Sequence, residues 1–183
     1  MKNSRITTIS KFLSKHLRHQ PEQLGLSLDI GGWVKVEDLI NACAKNNFVI
    51  SQAELEQVVA TSEKKRFSFD STGTLIRANQ GHSVEVDLQL EATQPPDILY
   101  HGTAEKSVSS IMSLGLQKMS RHHVHLSSEI STAKTVGQRH GKPVVFVVNA
   151  KAMHNEGYIF YCSDNHVWLV ENVPPEYLQR IAL

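Results

Sequence analysis

The run K-K-R-F-S-F-D-S-T-G-T-L-I-R-A-N-Q-G-H-S, residues 64 to 83, decides how the first half of this chain is read. Phe67 and Phe69 alternate with polar neighbours, Thr72-Gly73 supplies turn chemistry, and Leu75-Ile76-Arg77 resumes an extended pattern. A β-hairpin is therefore expected. Upstream, Ile6, Ile9, Phe12, Leu13 and Leu17 recur at three- and four-residue spacing, as on one face of a helix. Trp33 to Val36, after Gly31-Gly32, reads as a short strand leading into a second helix that carries Leu39, Ile40 and Cys43. Ser51 with Glu54 forms a capping box that opens a third helix, with Leu55, Val58 and Val59 inward. Three helices followed by a hairpin is winged-helix order, an architecture common among nucleic-acid binders that does not by itself establish a function.

Working outward, E-A-T-Q-P-P-D at 91 to 97 interrupts regular structure with two prolines and marks a boundary. Beyond it the pattern turns strand-rich. Strands are expected at Ile98 to Tyr100, Val124 to Leu126, Val144 to Val148, Tyr158 to Tyr161 and Val167 to Val170. Helices are expected at Ala104 to Met112 and Ser131 to Arg139, the second ending near Gly141. The fold class is α+β in two lobes, 1–92 and 93–183. Apolar residues at 40% and charged residues at 20% are ordinary globular values, which exclude disorder as the main state. No apolar run approaches the ~20 residues of a membrane helix, and the N-terminus lacks a signal-peptide core. Cys43 and Cys162 alone exclude a disulfide scaffold and a four-cysteine zinc site, and fit a cytoplasmic protein.

The net charge of +1 conceals an uneven distribution. Lys2, Arg5, Lys11, Lys15 and Arg18 precede any acid, and Lys64, Lys65 and Arg66 form a second basic knot. Such a field suits a polyanion met at one face, although a solvated basic helix has the same composition. Arg18-His19 ends the basic helix before Pro21, where a cation either complements the helix end or serves a ligand. Arg66 can fork onto a phosphate or guard an edge strand. Asn79, Gln80, His82 and Ser83 gather neutral polar groups around Gly81. His101-Gly102-Thr103, directly after a strand, can meet ribose hydroxyls and a carboxamide, or make a polar turn. His122, His123 and His125 suggest a metal, but no Cys or acidic run completes a ligand set, so no metal is expected. Glu54-Leu55-Glu56 resembles the acidic pair of some ADP-ribosylating toxins and reads as helix surface. Dinucleotide-binding and P-loop glycine motifs are missing, as are zinc-protease and nucleophile-elbow motifs.

In order along the chain, L-S-K-H-L-R-H, G-G-W-V-K-V-E-D-L, K-K-R-F, I-R-A-N-Q-G-H-S, L-Y-H-G-T, R-H-H-V-H-L-S, G-Q-R-H-G-K-P and N-H-V-W-L-V closely resemble the RNA 2'-phosphotransferase family. The resemblance spans roughly residues 10 to 172. It implies an N-terminal winged-helix RNA lobe followed by a C-terminal ADP-ribosyltransferase-like lobe. It also implies an Arg-His-Arg-Arg tetrad, matched by Arg18, His19, Arg66 and Arg121. The implied NAD pocket takes His101, Gly102, Thr103, His125, Ser127 and Val167, the last where toxin-like relatives carry a catalytic glutamate. Lys15, Arg77, Asn79, Gln80, His82 and Ser83 are expected on the RNA substrate. His166 and Gln138 depart from the family's usual residues, glycine or asparagine at the first position and arginine at the second.

The resemblance implies NAD as co-substrate, RNA carrying a 2'-phosphate as partner, a monomer, and no metal or membrane. The implied product is RNA with a free 2'-OH, beside nicotinamide and ADP-ribose 1'',2''-cyclic phosphate. Two other readings stay open on the residues alone. One is an ADP-ribosyltransferase that caps terminal phosphates of nucleic acid. The other is a non-catalytic winged-helix RNA-binding protein.

Overall fold

Helix α1 (Lys2–Arg18) buries Ile9, Leu13 and Leu17 completely. Each such side chain contributes about 1.5–3 kcal/mol of transfer free energy. The helix stops where Pro21 opens a 3-10 turn, and Lys15 and Arg18 in its last turn complement the negative end of the helix dipole. The computed structural model describes residues 2–62 and 64–181. It divides the chain into two units, residues 1–89 and 90–183. Both mix helices with small antiparallel sheets, and among the described residues no helix is long and apolar enough to cross a membrane.

In residues 1–89, β1 (Trp33–Lys35) leads directly into α2 (Val36–Lys45), and α3 (Gln52–Thr61) follows. The capping box is present in full: the Glu54 N–H donates to Ser51 Oγ at 3.2 Å and the Ser51 N–H to Glu54 Oε2 at 3.0 Å. The hairpin β2 (Phe67–Phe69) and β3 (Leu75–Ala78) completes a sheet of order β1-β3-β2. Ile76 lies opposite both Val34 and Phe69, and Arg77 opposite both Trp33 and Ser68, so one face carries the core and the other the polar row. Ile76, Phe67, Leu39, Cys43, Leu55 and Val58 join the α1 residues in one buried cluster.

In residues 90–183, β4 (Leu99–Ala104) and β11 (Leu178–Ile181) flank β7 (Pro143–Val148). A second sheet runs β6 (Val124–Leu126), β9 (Trp168–Val170), β8 (Phe160–Cys162). Strands β5 (Leu116–Gln117) and β10 (Asn172–Val173) pair with each other. Leu99, Val144, Phe146, Val148, Val124, Phe160 and Val170 share the core. An antiparallel bridge joins β4 to the end of β6, with Tyr100 and Ser127 exchanging backbone bonds of 2.8 and 2.9 Å. The remaining helices are α4 (Val108–Leu114), α5 (Ile130–Gln138) and α6 (Ala150–Asn155).

Several boundaries differ from the sequence expectation: the strand expected at Tyr158 to Tyr161, for one, runs Phe160–Cys162, after the turn that closes α6. His101-Gly102-Thr103 lies within β4 and does not follow it, because the ladder with β7 continues through Thr103 opposite Val144 and Ala104 opposite Pro143. The helix expected from Ala104 begins at Val108, after a 3-10 turn over Glu105–Ser107. Gly102 accounts for its own position. A Cβ there would stand 1.6 Å from the Ala133 carbonyl oxygen, and one at Gly137 would stand 2.5 Å from the Thr103 oxygen. Only glycine at both places lets α5 lie against β4.

Candidate active site

In residues 1–89 the segment after β3 ties together the chain ends that carry Arg18 and Arg66. At one end, the Asn79 N–H donates to the Arg66 carbonyl at 2.9 Å and Asn79 Nδ2 donates to the Lys65 carbonyl at 2.7 Å. At the other end, the Ser83 N–H donates to the Arg18 carbonyl at 2.9 Å. The His19 Nδ1 stands 2.9 Å from Ser83 Oγ. Arg18 Nη2 donates to the Arg66 carbonyl at 3.4 Å, and its guanidinium lies 5.9 Å from the Phe67 ring centre. Arg18, His19, Arg66, Asn79 and Ser83 are therefore one connected group. Lys65 holds a left-handed φ of 38°, backbone strain placed immediately before Arg66.

The other residues expected on the substrate are placed differently. Arg77 stacks on Trp33 at 4.6 Å and donates to the Gly31 carbonyl at 3.5 Å, which ties it to the sheet's polar face. His82 is buried in the interior, on the Gly32 side. Asn79 Oδ1 and Gln80 Oε1 are buried and have no hydrogen-bond partner among the described residues. Lys15 is exposed on the last turn of α1. Arg5, counted in the same basic run, donates to Glu54 at 3.1 Å and to the Val49 carbonyl at 2.6 Å, so it holds α1 to the α3 end.

In residues 90–183 the expected residues form a second chain of contacts. His101 Nδ1 lies 3.0 Å from the His125 carbonyl oxygen. A carbonyl only accepts, so Nδ1 carries the proton. Burial pushes the His101 imidazole below its ordinary value, the Arg121 charge adds to this, and the bond to the His125 carbonyl opposes both. The ring is then neutral, with a lone pair on Nε2. Arg121 Nη1 lies 3.1 Å from His125 Nδ1. A guanidinium only donates, so here Nδ1 holds the lone pair and Nε2 the proton. Two histidines beside each other thus carry opposite tautomers.

Thr103 is buried on β4, on the same face as His101. Ser127 Oγ donates to the Glu129 carbonyl at 3.2 Å and accepts from its N–H at 3.1 Å, which shapes the entry to α5. Val167 closes a turn in which its N–H donates to Ser163 Oγ at 3.2 Å. His123 is pushed down by burial, then by the charges of His122 and Lys118. Among the described residues no cluster of three or more His, Cys, Asp or Glu side chains is placed to hold a metal ion.

Main-chain acceptors are what residue types could not announce. The carbonyls of Lys65, Arg66 and His125 organise both groups, and nothing in a side-chain pattern marks them. The one signal available was Asn79, whose amide can satisfy a neighbouring carbonyl inside a turn.

Residues 4–172 match the family described as RNA 2'-phosphotransferase, Tpt1 / KptA family. A relative named probable RNA 2'-phosphotransferase from Nostoc punctiforme is 71% identical over 181 residues, covering 99% of this chain and 100% of its own. One of the same name from Trichormus variabilis is 66% identical with the same coverage. One from Streptomyces griseus is 50% identical, covering 97% of this chain and 98% of its own. The match takes in both contact groups, from Arg18 to Val167, and with identities this high across nearly the whole length the chain belongs to the RNA 2'-phosphotransferase family of transferase enzymes.

Proposed function

We propose that this enzyme removes an internal 2'-phosphate from RNA using NAD as co-substrate. Residues 1–92 act as a winged-helix RNA lobe and 93–183 as an ADP-ribosyltransferase-like lobe. The observation that carries the reading is the Arg18–His19–Arg66 group. Residues 2–21 contain no acidic residue, and residues 64–84 contain one, Asp70, in the turn between β2 and β3. Arginine suits a phosphate dianion because it stays charged and presents parallel donors. Asn79 and Ser83 add neutral polar groups to it.

The donor set of the second group fits the nicotinamide ribose and carboxamide of NAD. His101 Nε2 offers an acceptor, and His125 Nε2–H offers a donor. Gly102 and Thr103 lie on β4 with His101, Ser127 directly follows β6, and Val167 directly precedes β9. In the first step a 2'-phosphate oxygen attacks C1'' of the ribose. The glycosidic C–N bond breaks, and its electron pair leaves with nicotinamide. The nucleophile is already anionic, so a general-base glutamate is unnecessary, and an apolar residue such as Val167 is tolerated in its place. Arg121 steadies the charges that meet at this step. In the second step the ribose O2'' attacks phosphorus and the P–O bond to the RNA 2'-oxygen breaks. His19 moves the proton between those two oxygens, while Arg18 and Arg66 hold the charge on phosphorus. The products are 2'-OH RNA and ADP-ribose 1'',2''-cyclic phosphate.

Labelled RNA with one internal 2'-phosphate, incubated with NAD and resolved on a gel, separates substrate, ADP-ribosylated intermediate and product. Removing a positioned charge from a developing anion typically costs about a hundred- to a thousandfold in rate. His19→Ala and Arg66→Ala are expected to release nicotinamide and accumulate intermediate, whereas Arg121→Ala slows release itself. Accumulation of intermediate by Arg121→Ala, with none formed by His19→Ala, would reverse the assignment. No nicotinamide release by the unaltered protein would end the reading.

A further inference from the structure

We infer that His125 is the positioning residue for Arg121, holding the guanidinium through an imidazole nitrogen that has to be unprotonated; this rests on the reading of Arg121 as the residue that serves nicotinamide release. Arg121 is exposed and sits in an irregular segment before β6, anchored by the bond from its own N–H to the Lys118 carbonyl at 3.0 Å. Met119, two residues earlier, takes a left-handed φ of 55°. Nothing in that segment's backbone fixes where the long side chain points.

His125 supplies what the segment lacks. It lies opposite Leu169 in the β6–β9 ladder, between the buried side chains of Val124 and Leu126. Its carbonyl is held by His101 from β4. A residue fixed on both sides presents its Nδ1 at a defined point, and Arg121 Nη1 meets it at 3.1 Å. The donor rule makes the bond one-directional: the imidazole accepts, and a proton on Nδ1 would oppose two donors and two positive charges. The other ring nitrogen, Nε2–H, is the one assigned to NAD in that reading. Supporting Arg121 and touching NAD therefore use different ring nitrogens, and substitution can separate them. Asparagine places its amide oxygen where Nδ1 stands. Glutamine places its amide near Nε2 and leaves Nδ1 without a replacement.

The test uses the full chain under single-turnover conditions, reading nicotinamide release against NAD concentration. His125→Gln is expected to lower the maximal rate roughly ten- to a hundredfold, the range set by a misplaced group, with KM for NAD near wild type, and His125→Ala to lower the rate as far and raise that KM as well. His125→Asn is expected to retain most of the rate. In an Arg121→Ala background, His125→Ala should add no further loss, because the group it positions is gone. A loss of equal size in both backgrounds, or His125→Asn behaving like His125→Ala, overturns the proposal while leaving the role of Arg121 intact. A wild-type release rate in Arg121→Ala overturns that role instead, and the proposal with it. A second readout needs no activity: the imidazole nitrogen shifts of His125 in the NAD-free protein should report a proton on Nε2, and a proton on Nδ1 refutes the inference.

Discussion

Asn79→Ala is the most informative single change in the Arg18–His19–Arg66 group. The side chain is 3% exposed, and its Nδ2 makes a 2.7 Å bond to the Lys65 carbonyl. Deleting it leaves that carbonyl without its donor, which costs about 1–3 kcal/mol when the site is dry. Part of this returns. Lys65 at φ 38° is strained by about 1–2 kcal/mol, and a freed backbone relaxes. The net loss is then near ~1 kcal/mol, which lowers Tm by roughly 2–4 °C in a chain of this size. The effect on chemistry is disproportionate. Relaxation at Lys65 moves Arg66, and a displacement of about 1 Å in a positioned group costs on the order of a hundredfold. The second step should therefore fall about ten- to a hundredfold, so that ADP-ribosylated RNA accumulates on the gel, while nicotinamide release stays near wild type. A wild-type second step with the small Tm loss would refute the claim that Asn79 sets Arg66. Equal slowing of both steps would refute the assignment of this group to the phosphorus.

Gly102→Ala forces a Cβ to within 1.6 Å of a backbone oxygen of α5, with backbone on both sides of the clash. It should lose at least the ~3 kcal/mol that marks severe overpacking, read as a lowered denaturant midpoint. His166 holds a left-handed φ of 59°, so His166→Gly should raise stability by about 1 kcal/mol and leave the nicotinamide-release rate unchanged. His101 has a folded-state pKa below its unfolded value of 6.5, so the unfolded chain binds the extra proton first. Its contribution is fully present above that pH and is lost as pH falls below it. Denaturation midpoints should drop on acidification, and His101→Gln should flatten the drop.

Local rules made the first half of the chain legible. The α1 face of Ile9, Leu13 and Leu17, the Ser51–Glu54 box and the Phe67 to Arg77 hairpin all depend on residues within a few positions of one another. The rest depends on partners far away. Leu99–Ala104 continues as a strand because Pro143–Val148 pairs with it, and Gly102 is needed because Ala133 lies on top of it. Short elements such as β11 and α6 carry too little periodicity to be read. Asn149, whose side chain accepts from the Ala152 N–H at 3.1 Å, is the one mark α6 leaves in the sequence. At the candidate site the side chains could be listed from the sequence, but their connections could not. Arg18 reaches Arg66 through a carbonyl, and His101 reaches His125 through another.

The two departures from the family pattern show why connection matters more than residue identity. His166 stands in the turn between β8 and β9, where Ser163 Oγ accepts from the Val167 N–H and the His166 N–H donates to the Ser163 carbonyl at 2.8 Å. That closure requires positive φ at residue 166, which glycine adopts freely and asparagine tolerates. The glycine or asparagine expected there suits that backbone geometry, and a histidine carries a conformational cost. Gln138 is the last residue of α5, exposed, with Arg139 as the following C-cap. A cation that complements the helix dipole is therefore still present one position later. The bonds that join Arg121 to His125, and His101 to the His125 carbonyl, are made between other residues.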